Sequence, residues 1–144
     1  MDVLTKEQRR RNMQAIRSTD TKMEVALAKA LFALGHRYRK NDKTVFGRPD
    51  LTFKKLKIAV FIDSEYFHGK DWEVNKHRIK TNRQFWWNKI ETNMQRDIEV
   101  NKQLKKEGWI IIRFWSQEVS KNLRTCTRKI EQIKDKRRNA KKIF

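Results

Sequence analysis

The sequence predicts an α/β domain in which helices flank a central mixed β-sheet. Three observations carry this expectation: two amphipathic helical segments each stopped by a glycine, a hairpin launched by a proline, and a β-branched and aromatic run near the C-terminus. At 144 residues the chain has room for one core of ordinary size, so residues 1–144 are read as a single domain.

Residues 6–17, from Lys6 to Arg17, read as a short basic helix with few apolar positions to anchor it, lying on the surface or on a ligand. Thr19, Asp20 and Thr21 then offer an N-cap to a helix whose Met23, Val25, Ala26, Leu27, Ala30, Leu31 and Leu34 make one apolar side, with Gly35 as the stop. Glu24 falls in the first turns of that helix, where the positive end of the dipole favours a carboxylate. Residues 36–46 read as a strand and a turn.

Pro49 is the chain's single proline. A proline cannot donate to a sheet ladder, but it is tolerated at a strand's entry, where its preset φ makes the backbone rigid. Asp50 is thereby put at a defined strand edge. Leu51–Phe53 runs out, Lys54-Lys55-Leu56-Lys57 turns the chain, and Ile58–Ile62 runs back to Asp63 and Glu65. An antiparallel pair of this length brings the start of one strand beside the end of the other. Carboxylates gathered there make an oxygen-rich pocket suited to a hard cation such as magnesium. The same spacing equally suits a turn aspartate with surface acids.

The segment from Tyr66 to Lys80 is both aromatic and basic, and its side chains cannot all be core. From Gln84 to Lys106 the positions Trp87, Ile90, Met94, Ile98 and Leu104 suit a long helix ended by Gly108, with one of Trp86 and Trp87 in the core. Trp109–Trp115 reads as a buried strand. A last helix covers residues 120–133, and residues 134–144 read as a basic tail.

Thirty-six Lys and Arg oppose seventeen Asp and Glu, a formal net charge of +19. So lopsided a surface repels itself unless an anion compensates, which points to nucleic acid. No apolar run is long enough to span a bilayer, and Met1–Asp20 has no apolar stretch of signal-peptide type. The one cysteine, Cys126, excludes a disulfide framework and a cysteine cluster for zinc, and reads as a buried or bystander thiol. The expected compartment is the cytoplasm, with nucleoid association when DNA is bound.

Asn12-Met13-Gln14-Ala15-Ile16, Asp20-Thr21-Lys22-Met23-Glu24, Gly47-Arg48-Pro49-Asp50, Phe61-Ile62-Asp63, Tyr66-Phe67-His68, Phe85 to Ile90, Asn93 to Asp97 and Gly108-Trp109 occur in that order. Together they make the chain resemble the very short patch repair (Vsr) endonucleases over most of residues 6–119. The resemblance implies a restriction-endonuclease-like core and a magnesium-dependent enzyme that nicks one strand of duplex DNA beside a thymine–guanine mismatch. It implies double-stranded DNA as partner, with other DNA repair proteins as further candidates. Asp50 becomes the principal magnesium ligand, its shell completed by Asp63 or the Ile62 carbonyl. His68 becomes the catalytic histidine, oriented by Asp97, with Glu24 in support. This is coherent chemistry, because a histidine moves protons near neutral pH and a carboxylate partner fixes its tautomer. Outside the motif His68 would read as an exposed loop residue. Met13, Tyr66, Phe67 and Trp86 fall where the family wedges apolar side chains into DNA, with Arg48 as a further DNA-binding residue. Two alternatives share these residues: a site-specific restriction or homing-type endonuclease on the same core, and a non-catalytic DNA-binding module.

The chain departs from the family around its structural zinc. The family's Gly-Cys-Phe-Trp-His run is here Ser64-Glu65-Tyr66-Phe67-His68, the later His and Cys ligands are replaced around residues 69–72, and the cysteine of the last strand's end is Gln117. No lysine stands two residues after Asp63, which favours chemistry based on the histidine. A structural zinc needs deprotonated Cys or neutral His ligands in tetrahedral array. Protein purified without a metal-affinity tag is therefore expected to contain far less than stoichiometric zinc by elemental analysis, and tight equimolar zinc would contradict this reading.

Overall fold

The structure, a computed structural model, describes residues 21–143. The helix expected over residues 6–17, and Met13 with it, lie outside the described residues. Helix α1 (Lys22–Ala33) opens the described part, followed by strands β1 (Arg39–Lys40), β2 (Leu51–Phe53) and β3 (Ile58–Asp63). A short helix α2 (Trp72–Asn75), a 3₁₀ turn (Lys76–Arg78) and the long helix α3 (Arg83–Lys106) lead to β4 (Ile110–Trp115), α4 (Ser116–Lys121) and α5 (Leu123–Ile143). The four strands form one mixed sheet in the order β1-β2-β3-β4, antiparallel except for the parallel β3–β4 pair. This is the α/β arrangement of a restriction-endonuclease-like core.

All six residues of β3 are buried, because both faces of the strand are covered. On one face Ile58, Val60 and Ile62 pack with Leu27 and Leu31 of α1, Ile112 and Phe114 of β4, and Val119, Cys126 and Ile130 of α4 and α5. On the other, Ala59 and Phe61 meet Val45 and α3's Val100 and Leu104. Alternation with period two thus splits one apolar run between two helical layers. Cys126 is buried in the first layer, as expected of a bystander thiol.

Several expectations need correction. Residues 36–46 contribute only the two-residue edge strand β1, since the chain turns at once through Asn41 and Asp42, whose carboxylate accepts the Thr44 N–H and O–H at 2.9 and 2.6 Å. Neither Trp86 nor Trp87 is core; both are half-buried, and Trp72 is the buried tryptophan. Trp87 stays near the surface because its indole N–H donates to the Lys76 carbonyl at 2.9 Å. Ile98 is 59% exposed, and Val100 takes the inward position instead. The basic tail of residues 134–144 is helical up to Ile143 as the continuation of α5. It is held there because Lys134 is buried with its Nζ 4.3 Å over the Phe53 ring and 2.7 Å from His36 Nδ1. Arg137 adds hydrogen bonds to the Leu56 and Gly108 carbonyls at 3.0 and 2.7 Å.

The turn before β2 docks on α3, and this fixes where β2 begins. Gly47 has φ +80°, and a Cβ built on it would lie 2.4 Å from Val100 Cγ1, so the backbone approaches the helix as only glycine allows. Pro49 follows, fully buried. Gly47→Ala is expected to cost about 2–3 kcal/mol from strain and overpacking, against about 1 kcal/mol for Gly35→Ala, where φ is +95° but nothing lies within 4 Å. Urea unfolding of the two variants checks this; equal losses would mean that contact with Val100 contributes nothing.

Candidate active site

The β2–β3 register, Leu51 opposite Val60, sets the start of β2 beside the end of β3. Asp50 Oδ2 accepts the Ile62 N–H at 2.6 Å. Ile62's contribution here is that N–H, its side chain lying in the core. From α1, Glu24 reaches the same place; it is 4% exposed, and its Oε2 is buried with no hydrogen-bond partner. Thr21 caps the helix by accepting the Glu24 N–H at 3.4 Å, which fixes the first turn that carries this carboxylate. Burial is the largest influence on Asp50, and with the charge and hydrogen bond of Glu24 and the charge of Asp63 it outweighs the Ile62 N–H. The carboxyl is pushed up to about 8. A buried and a half-buried carboxylate facing each other, the buried one with an orphaned oxygen, form a donor set that fits a hard divalent cation.

A second cluster lies alongside. The Nδ1 of His68 is 2.6 Å from Asp97 Oδ2 on α3 and 3.7 Å from Asp63 Oδ1 at the end of β3. Burial alone would lower the histidine's pKa, but the Asp97 hydrogen bond and the charges of Asp63 and Asp97 prevail and raise it. Asp63 is less open than the sequence suggests. Both its oxygens accept from Arg113 Nη1, at 3.1 and 3.0 Å, and the same nitrogen lies 3.5 Å from Asp97 Oδ1. The guanidinium donates from Nε to Asn101 Oδ1 at 2.8 Å and stacks 4.1 Å over the Phe61 ring. Ligand atoms of Asp63, His68 and Asp97 lie within 4.8 Å of one another and could hold a metal as a set. The short His68–Asp97 bond and the Arg113 clamp give that set a different occupation: a histidine held by one carboxylate, and a second carboxylate that pairs with arginine yet has its pKa raised by burial. Arg113 was not singled out from the sequence, although a lone arginine inside Ile110-Ile111-Ile112-Arg113-Phe114-Trp115 was the available signal.

Glu65 does not join the carboxylate pocket. Its oxygens accept the Ser116 hydroxyl and the Gln117 N–H at the start of α4. Next to it Tyr66, 45% exposed, and half-buried Phe67 and Trp86 form an edge-to-face cluster, with ring centroids 5.2 Å apart for Tyr66–Phe67 and 5.6 Å for Tyr66–Trp86. Phe85, 61% exposed and 5.2 Å from Trp86, extends it. Its signal in the sequence was the run Phe85-Trp86-Trp87, which no single helix face can bury. A cleft of about 600 Å³ adjoins the cluster, walled by Tyr66, Trp72 and Trp86 with Asn75, Arg78 and Lys80. Arg48 is exposed at the turn that precedes Asp50. The structure therefore gathers Glu24, Asp50, Asp63, His68 and Asp97, sets Tyr66, Phe67 and Trp86 together beside them, and ties Glu65 elsewhere.

A family model described as DNA mismatch endonuclease Vsr matches residues 1–74. A type II nicking enzyme of Neisseria meningitidis serogroup C is 56% identical over 137 residues, 94% of this chain and 93% of that protein. Another from Haemophilus parainfluenzae is 56% identical over 123 residues, 85% and 87% of the two chains. The DNA mismatch endonuclease Vsr of Escherichia coli K12 is 32% identical over 114 residues, 79% of this chain and 72% of its own.

The buried acids predict a pH-dependent stability. Asp50's folded pKa of about 8 exceeds its ordinary 3.8, so the folded state keeps a proton that the unfolded chain releases. Stability from this group is fully present below pH 4 and is lost as pH rises toward 8. In metal-free protein, Asp50→Asn, which keeps an oxygen for the Ile62 N–H, should be neutral near pH 4 and clearly stabilising at pH 8. Urea unfolding at the two pH values tests this, and a loss of stability at pH 8 would contradict it.

Proposed function

The chain belongs to the Vsr family of DNA mismatch endonucleases and is a DNA endonuclease; from that premise we propose that it nicks one strand of duplex DNA at a thymine–guanine mismatch in a magnesium-dependent hydrolysis, as in very short patch repair. The observation that carries the reading is the meeting, at one end of the sheet, of the Glu24–Asp50 pair, the His68–Asp97 pair and an exposed aromatic cluster.

Asp50 would be the principal magnesium ligand, with Glu24 in support and Asp63, or the Ile62 carbonyl, completing the set. Bound magnesium supplies positive charge against the scissile phosphate and lowers the pKa of a coordinated water. His68 donates from Nδ1 to Asp97, which leaves Nε2 to take a proton from the attacking water or give one to the departing sugar oxygen. Asp97 holds the ring in that tautomer and stabilises the imidazolium. Arg113 neutralises Asp63, so the pocket does not confront the phosphate with a full set of anions. Tyr66, Phe67 and Trp86 enter the mismatched base step, which costs less to open than a paired one. Arg48, exposed beside the pocket, meets a phosphate.

The name nicking enzyme, carried by both 56% identical relatives, favours a second reading: a nickase that recognises a site without a mismatch. A purely DNA-binding role is set aside by the family, and buried carboxylates facing phosphate would only weaken binding.

Incubation with magnesium and matched, mismatched or plasmid DNA separates the two readings. Nicking confined to the mismatched duplex is the expected result, and equal cleavage of matched DNA would select the second. Asp50→Ala should abolish cleavage while binding persists or tightens, and substantial cleavage by the folded variant would overturn the metal assignment. Replacing Tyr66 and Phe67 together by Ala should lower mismatch nicking at least about tenfold with only a small fall in melting temperature, since Tyr66 is already 45% exposed. A large melting loss with normal specific activity would assign both rings to folding instead.

A further inference from the structure

The segment between β3 and α2 has to hold His68, Tyr66 and Phe67 in place, yet residues 64–70 form no regular helix or strand. On its α3 flank the contacts are dense. Asn93 donates to the Phe67 carbonyl at 3.0 Å, and Asp97 holds His68 at 2.6 Å. Gly69 lies so close to α3 that a Cβ there would be 2.4 Å from Met94 Sδ. On the other flank, among the described residues, the side-chain hydrogen bonds from α4 to this segment all end on Glu65. Ser116 Oγ reaches both its carboxylate oxygens, one of them at 3.0 Å, and the Gln117 N–H reaches Oε2 at 3.2 Å. Within the segment, the Lys70 N–H closes on the Glu65 carbonyl and the His68 N–H on that of Ser64, both at 3.0 Å. A pull on Glu65 is therefore transmitted to the residues that follow it.

Positions 65 and 117 are also where this sequence departs from the family's cysteines. A zinc does not fit here: Glu65 is engaged by α4, Gln117 meets it through its backbone, and the chain's one cysteine, Cys126, is buried in the core. We propose that Glu65 is a positioning residue whose hydrogen bonds to Ser116 and Gln117 clamp the 64–70 segment to α4, doing with a carboxylate what the family does with a metal. A carboxylate accepting a hydroxyl and an amide proton makes stronger bonds than neutral groups do. With the clamp cut, the segment keeps its contacts to α3, the Asn75 amide bond to the Lys70 carbonyl and Lys70 over the Trp115 ring, but loses its hydrogen bonds to α4, and the aromatic rings and His68 shift relative to the phosphate.

The clamp rests on the functional reading only for its consequence in catalysis, so its test has an arm without DNA. Hydrogen exchange of the metal-free protein should show protection lost at residues 64–70 in Glu65→Ala while β3 and α5 keep theirs. At saturating mismatched DNA the same variant should nick about ten- to hundredfold more slowly, the loss lying in kcat more than in KM. Glu65→Gln keeps an acceptor oxygen and should stay within about threefold of the parent. Ser116→Ala should slow the parent but add nothing to Glu65→Ala, as for two halves of one interaction. Unchanged exchange in Glu65→Ala would overturn the proposal, as would Glu65→Gln being as damaging as Ala or the two alanine effects adding. If exchange rises as expected while the parent nicks no mismatched DNA, the clamp stands and the functional reading falls.

Discussion

The hydrogen bond from the Ile62 N–H to the Asp50 carboxylate joins the entry of β2 to the exit of β3, and the cluster of acids at that end of the sheet is built around it. It depends on a chain of local constraints. Gly47 lets the preceding turn press against Val100, Pro49 sets the backbone that follows, and the antiparallel register delivers Asp50 opposite the last residues of β3. Once that register holds, the parallel pairing of β3 with β4 sets Arg113 opposite Phe61 and within reach of Asp63. The sheet thereby converts pairing geometry into the spacing of charged groups.

Those groups separate into two electrostatic regimes. Asp63 and Asp97 are bonded within the protein to Arg113 and His68 by hydrogen bonds of 2.6–3.1 Å, although burial still outweighs Arg113 and raises the Asp63 pKa. Glu24 and Asp50 have no basic side chain bonded to them among the described residues, and burial pushes the Asp50 carboxyl up to about 8. Leaving such a pair uncompensated costs folding stability, and a site that binds a cation tolerates this because the ion completes it. The +19 formal charge of the whole chain makes the contrast sharper: cations are abundant, yet among the described residues none is bonded to this pair. Among the described residues no helix is long and apolar enough to cross a membrane, so the basic surface is left to face a soluble polyanion or a membrane surface, and the family favours the first.

The aromatic cluster follows another logic. Tyr66 and Phe85 stay exposed because their neighbours Phe67 and Trp86 cover them only edge-on, and the segment that carries Tyr66 hangs between α3 and α4 with no ladder of its own. Such a segment can meet a ligand with apolar surface only if its two flanks hold it. The flanks do so by different means, packing and a histidine–carboxylate bond on α3, hydrogen bonds to Glu65 on α4.

Much of this was legible locally. The apolar period of α1, the long helix α3, the Pro49 hairpin and the β4 strand follow from patterns within a few residues, and the structure reproduces them nearly to their ends, although of the β4 run expected to be buried only Ile112 and Phe114 are. Asp50, His68 and Asp97 were legible because a rigid strand entry and a family motif marked them, although their pairing was not a matter of spacing. What the sequence could not decide were interactions between segments far apart along the chain. Arg113 finds Asp63 across fifty positions, Glu65 is drawn to Ser116 and away from the acid pocket, and the basic stretch after Ile133 becomes helix because Lys134 and Arg137 find partners on the β2–β3 hairpin. Propensity and periodicity act over one or two turns of chain. Which charge neutralises which depends on strand register and helix docking, and these exist only once the sheet has closed.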